Sequence, residues 1–164
     1  VPADAPAPAG GPITVPARPP LRMIDAVDVL DLSGGPRGLG LLRGVKRVVA
    51  DEWFFKAHFH QDPVWPGSLG LEALQQLCVT AARARWPGLA ESHRCTSAPL
   101  GTPHAWTYRG QVLPTHQRVC VEASVSAQRD GAAPALAVDG LLIVDEVVIY
   151  DLRGFGVALV PGRA

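Results

Sequence analysis

The sequence predicts an α+β domain in which one antiparallel sheet wraps around a single long helix. Three observations predict it. From Ser68 to about Arg85, apolar residues recur at helical spacing: Leu71, Leu74, Cys78 and Ala81 share a stripe, with Leu77 alongside. On both sides of that stretch lie runs rich in β-branched and aromatic residues, which read as strands. The helix also carries Gly70, Ala73, Ala81 and Ala82, small enough to let it approach a sheet closely.

The elements follow in order. Residues 1–20, "VPADAPAPAGGPITVPARPP", are rich in Pro, Ala and Gly and read as a linker. They lack the basic first region and apolar centre of a signal peptide. With no initiator methionine, the chain reads as a piece of a longer, multidomain protein, and residues 21–164 as its folded domain. "LRMIDAVDVLDL" is expected to be a helical turn leading into a strand, and "SGGPRGLG" a turn. The glycine order of that turn does not match a dinucleotide-binding fingerprint. "LLRGVKRVVA" and "WFFKAHFH" are predicted strands. Pro66 and Gly67 break the second, Ser68 is placed to cap the helix, and Pro87-Gly88 to end it. Strands are then expected in "HAWTYRGQVL", "QRVCVEASVSAQ", "ALAVDGLLIVDEVVIYDL" and "FGVALV". In the second of these, Val119, Val121, Ala123 and Val125 point one way; Cys120, Glu122, Ser124 and Ser126 point the other. That is the pattern of a half-buried antiparallel strand.

Composition excludes several function classes. Fifteen basic residues balance fifteen acidic ones, so nothing electrostatic points to nucleic acid or an anionic membrane as partner. No apolar run approaches the roughly 20 residues of a membrane span. Cys78, Cys95 and Cys120 are odd in number and far apart, which argues against a disulfide framework or zinc knuckle and fits a reducing, cytoplasmic setting.

The chemistry concentrates in "HFHQDPVWPGSLGLEALQQL", from His58 to Leu77. Neutral imidazole can act as a base at cellular pH, which makes His58 a candidate base; a satisfied, partly buried histidine is the plainer alternative. Glu72 falls in the first turns of the helix, with Gln76 four residues on and within reach. A carboxyl held by an amide against an apolar wall keeps its proton more readily and can donate it. An ordinary acidic residue favoured by the helix dipole is the alternative. His60 and Asp62 could join His58 as metal ligands, but no further cluster completes a coordination sphere. Ser68 lacks the G-x-S-x-G spacing of a hydrolase nucleophile. Gly67 offers a backbone N–H at a helix N-terminus, able to polarise a bound carbonyl. Base, acid and N–H around one turn suit proton removal beside a thioester carbonyl with departure of a β-hydroxyl.

The pieces "HF", "DPV", "PGSLGLE" and "QL" within that stretch resemble the active-site segment of the 3-hydroxydecanoyl-acyl carrier protein dehydratases, the FabA-like enzymes. The likeness is strongest to the FabA-like domains of polyunsaturated fatty acid synthases and related iterative polyketide synthases. The interval from His58 to Glu72 is the family's histidine-to-acid interval, and "RMID", "GGPRGLG", "WTYRGQVLP" and "VDGLLIVDEVVIYDL" extend the likeness over most of the chain. It implies the hotdog fold and dehydration of (3R)-hydroxyacyl thioesters to trans-2-enoyl thioesters. Some FabA-like enzymes also isomerise trans-2 to cis-3 enoyl chains. By the same resemblance His58 is the base, Glu72 takes the acid position, Gly67 holds the thioester carbonyl, Gln76 orients the acid, and the Val64 carbonyl holds the other imidazole nitrogen. Trp65 stands where methionine or cysteine is common and is expected to reshape the acyl tunnel. No metal or organic cofactor is implied; the phosphopantetheine belongs to the acyl carrier protein that delivers the substrate. Two hotdogs are expected to pair, as a homodimer or within one synthase. A hotdog thioesterase and a non-catalytic hotdog half are the rival readings.

Overall fold

The computed structural model describes residues 19–97 and 103–162. The linker expected over residues 1–20 lies outside the described residues up to position 18; Pro19–Leu21 form a short 3₁₀ turn. Seven described strands follow: β1 (Ala26–Asp31), β2 (Leu41–Arg47), β3 (His93–Ser97), β4 (Ala105–Tyr108), β5 (Arg118–Arg129), β6 (Ala135–Val144) and β7 (Val147–Pro161). They pair antiparallel in one sheet ordered β1-β2-β5-β6-β7-β3, with β4 also pairing on β7. Two helices lie between β2 and β3: α1 (Trp53–Ala57) and α2 (Gly67–Arg85).

The long helix α2 packs on β2, β5, β6 and β7, so the sheet curls around it in the hotdog arrangement. Most of the apolar stripe read from the sequence is buried in the core: Leu74, Leu77, Cys78 and Ala81 are all buried, while Leu71 is half-buried and packs against the core's margin. On β5, Val119, Val121, Ala123 and Val125 are buried as the alternation predicts. Cys120 on the opposite face is buried too, with Glu122, Asp28 and Arg43 nearby. Small residues set the spacing of the layers. A Cβ on Gly70 would stand 2.3 Å from the Tyr150 ring and 2.9 Å from Leu142.

The elements differ from the sequence reading at four places. "WFFKAHFH" is not a strand: Trp53–Ala57 form helix α1, and the chain then turns. Its aromatic content favours strand locally, but Phe54 and Phe55 are buried together, and Phe54 packs against Trp65 with ring centroids 4.9 Å apart. Tertiary packing overrides the local preference. His58 and His60 consequently do not alternate along a strand. Ser68 is not the cap of α2; Pro66 occupies that position, no side chain caps it, and Ser68 lies exposed in the first turn. "ALAVDGLLIVDEVVIYDL" is divided between β6 and β7, and "FGVALV", expected as a separate strand, is the continuation of β7. Asp145 and Glu146 both have positive φ, which makes a two-residue hairpin turn between Val144 and Val147. Aspartate suits that turn because its carboxylate accepts the backbone N–H groups of Gln117 and Arg118. Strand β3 carries no clear signal in the sequence.

Two further ties position the site. Lys46 is buried and pairs with Glu52 at 2.7 Å and Asp25 at 3.6 Å, fixing the start of α1 against β2. Gln76 is buried on α2 and ties down the segment that precedes β1: its Nε2 donates to the Leu21 carbonyl at 2.6 Å, and its Oε1 accepts the Met23 N–H at 2.9 Å.

Gly70→Ala is expected to lower the denaturation midpoint. The helix gains about 1 kcal/mol of propensity from alanine, but the new methyl forces a shift of Tyr150 or of the helix, and overpacking costs about 1–3 kcal/mol. Urea unfolding reads the balance. Gln76→Ala strands a buried N–H and a carbonyl and should destabilise by about 2 kcal/mol in the same assay, with faster hydrogen exchange at Met23 as the local signature.

Candidate functional site

The candidate site begins where α1 ends. His58 is the residue that closes α1, its N–H bonded to the Phe54 carbonyl at 3.0 Å. Its imidazole is half-buried, and Nδ1 lies 3.2 Å from the Val64 carbonyl oxygen. A carbonyl only accepts, so Nδ1 must carry the proton. Of the two neutral tautomers, that contact favours the one that leaves Nε2 as the acceptor. The Val64 carbonyl is itself held in place. Val64 and Trp65 are each 1% exposed, and the Trp65 N–H bonds to the Val112 carbonyl at 2.9 Å. The Trp65 ring packs into the core against Phe54, and its Nε1–H has no hydrogen-bond partner among the described residues.

Gly67 is the first residue of α2. The leading N–H groups of a helix have no partner within it, and the dipole gives that end partial positive charge. No acidic residue sits in the first turn to neutralise it. An aromatic wall closes one side of Gly67. A Cβ there would lie 3.0 Å from Trp106 and 3.1 Å from Tyr108, and the Tyr150 hydroxyl donates to the Gly67 carbonyl at 3.5 Å. Trp106 and Tyr108 stack edge-on at 5.5 Å, and each also meets Tyr150. Burial, then the neighbouring Tyr108, pushes the Tyr150 hydroxyl well above the ordinary tyrosine value, so it stays a neutral donor. Sequence reading missed these three rings as neighbours of Gly67. The alternation of Trp106 and Tyr108 on β4 was a usable signal for a shared face; Tyr150 had none.

Glu72 is half-buried one turn into α2, and Gln76 Nε2 donates to its Oε1 at 2.8 Å. The same amide that anchors Leu21 and Met23 therefore also orients this carboxyl. The structure brings His58, Val64 and Trp65 together around one turn, and Glu72 and Gln76 together on one helix. No hydrogen bond or ion pair joins His58 to Glu72 among the described residues. His60 and Asp62 are exposed, and no group of three His, Cys, Asp or Glu among the described residues is arranged to hold a metal ion. The three cysteines are free; burial pushes the Cys78 thiol up to about 12 and the Cys120 thiol up to about 11, so neither is a ready nucleophile. No described helix is long and apolar enough to cross a membrane.

The chain resembles known proteins in sequence and in fold. A polyunsaturated fatty acid synthase protein of Thraustochytrium sp. (strain ATCC 26185 / S-3) is 35% identical over 147 residues, covering 85% of this chain but 9% of that protein. The chain thus spans under a tenth of the length of this curated relative. Among solved structures, the dehydratase heterocomplex ApeI:P from Xenorhabdus doucetiae matches with a TM-score of 0.60 at 12% identity, covering 91% of this chain and 88% of that one. A putative thioesterase from Lactococcus lactis matches with a TM-score of 0.53 at 10% identity, covering 76% and 84%. At such identities the likeness to these two shows the hotdog fold. The family model described as a FabA-like domain matches residues 15–153, and with that match and the 35% identity to the synthase the chain belongs to the FabA-like family.

Proposed function

We propose that this chain dehydrates (3R)-hydroxyacyl thioesters, carried on the phosphopantetheine of an acyl carrier protein, to trans-2-enoyl thioesters. The observation that carries this reading is the contact between His58 Nδ1 and the Val64 carbonyl, which leaves Nε2 free to take a proton. The thioester carbonyl lies at the N-terminus of α2, where the Gly67 N–H and the helix dipole polarise it and acidify the α-carbon. His58 Nε2 removes the α-proton. The electron pair of that C–H bond forms the new α–β double bond, and the β C–O bond breaks. Glu72 donates its proton to the departing hydroxyl, which leaves as water. Because Gln76 occupies Oε1 as a donor, the proton of the acid belongs on Oε2. Trp65, buried behind the Pro66-Gly67 turn, bounds the acyl path from the core side. No step calls for a metal or organic cofactor.

The family resemblance implies a site shared between two hotdogs, and an open edge of the sheet supports that reading. All four residues of β4 are exposed, and β4 pairs only with β7 among the described strands, so an edge carrying Trp106 and Tyr108 is open to another strand. The partner is a second copy of this chain or another hotdog of the same synthase, the former giving a symmetric dimer with two sites. The synthase relative supports a fatty acyl chain as cargo.

The test is to supply the purified domain with acyl carrier protein loaded with 3-hydroxyacyl or saturated acyl chains and to follow both by mass spectrometry. Loss of water from the first is the expected result; release of free thiol from either would mark a thioesterase instead. His58→Ala should abolish the enoyl product with the fold intact, and Glu72→Gln should cost about a hundredfold or more. Exchange of protomers between those two inactive variants should restore up to about half of wild-type activity per heterodimer, since one of two equivalent sites is whole. Verified heterodimers that stay inactive would end the shared-site model.

A further inference from the structure

Phe59 follows the proposed base and adopts a backbone conformation that its own burial does not explain. Its φ is +60°, in the left-handed region that residues with a bulky side chain enter only under constraint. Gln61, two residues on, has the same φ, so the turn holds two such residues within three positions. Strain of this kind is normally offset by burying the side chain or by serving a site. Burial is not the reason: Phe59 is 61% exposed, more than Trp53, Trp106 or Tyr108.

What the conformation does achieve is contact with His58. The two ring centroids are 4.0 Å apart with the planes tilted by 40°. The bond from Nδ1 to the Val64 carbonyl, at 3.2 Å, restrains the imidazole from one edge. A contact on the ring's face narrows the play of the two side-chain torsions further, and Phe59 supplies it. We propose that Phe59 is a positioning residue: the left-handed turn presses its ring onto the imidazole and so fixes the direction in which Nε2 points. The inference rests on the reading of His58 as the base. Proton abstraction depends steeply on that direction, because a small misplacement of the reacting groups forfeits much of the advantage of holding them together.

Three variants separate this role from a structural one. Phe59→Gly removes both the ring and the strain, since glycine enters the left-handed region freely. Phe59→Ala removes the ring alone, and Phe59→Tyr keeps the ring. Phe59→Gly is expected to be at least as stable as wild type in urea unfolding and more stable than Phe59→Ala. Both should lower kcat about tenfold with KM for the acyl carrier protein substrate little changed, and Phe59→Tyr should restore kcat. The imidazole proton resonances of His58 should carry a ring-current displacement in wild type that Phe59→Gly and Phe59→Ala abolish. Unchanged kcat in both truncated variants, a loss confined to KM, or His58 resonances indifferent to the ring would overturn the proposal. A wild-type domain that yields no enoyl product would instead sink the dehydratase reading, and the His58 resonances would still decide whether Phe59 holds the ring.

Discussion

Tyr150 lies so close to Gly70 that no side chain fits between the helix and the ring. Much else depends on that approach. Tyr150 is almost fully buried, and its ring carries Trp106 and Tyr108 of the neighbouring strand. Those rings in turn close on Gly67 and set the surroundings of the first N–H of α2. A wider gap between α2 and β7 would loosen the aromatic wall and move the positive end of the helix away from the turn that holds His58. The spacing of two layers in the core is thereby transmitted to the place where a carbonyl would be polarised.

Polar groups complete the positioning, each with a defined partner. Gln76 is one amide with three tasks: it holds two backbone groups before β1 and orients Glu72. Buried amides are costly unless satisfied, so this group specifies a single arrangement of helix and leading segment. On the other side of the turn, the pair of Lys46 and Glu52 fixes the start of α1, and α1 ends in His58. Glu72 and His58 are thus held by separate devices.

The long helix and the alternation on β5 were legible because they repeat: a period of 3.6 or 2 leaves a trace in the sequence itself. The pairing of Glu72 with Gln76 was legible for the same reason, being set by one turn of helix. The contact of His58 with the Val64 carbonyl was expected from family resemblance alone. Helix α1 was not legible, since five residues rich in aromatics satisfy a strand pattern equally well and only the burial of Phe54 against Trp65 decides. Tyr150 at Gly67, and Gln76 at Leu21 and Met23, join residues far apart in the chain, and such contacts have no local signature. The strained backbone at Phe59 breaks every local preference and was invisible for that reason.

The strand β4 has one more consequence. It is four residues long, every one of them exposed, and it forms an edge of the sheet among the described strands. It also carries the two rings that flank Gly67, so the surface that another strand would cover adjoins the surface that a substrate would approach. Any strand that binds this edge adds its binding free energy to the folded state by mass action. Were the pocket completed across that edge, folding, assembly and completion of the pocket would be linked equilibria; dilution would act on all of them at once with a separate chain as partner, and on none with a neighbouring hotdog of the same polypeptide.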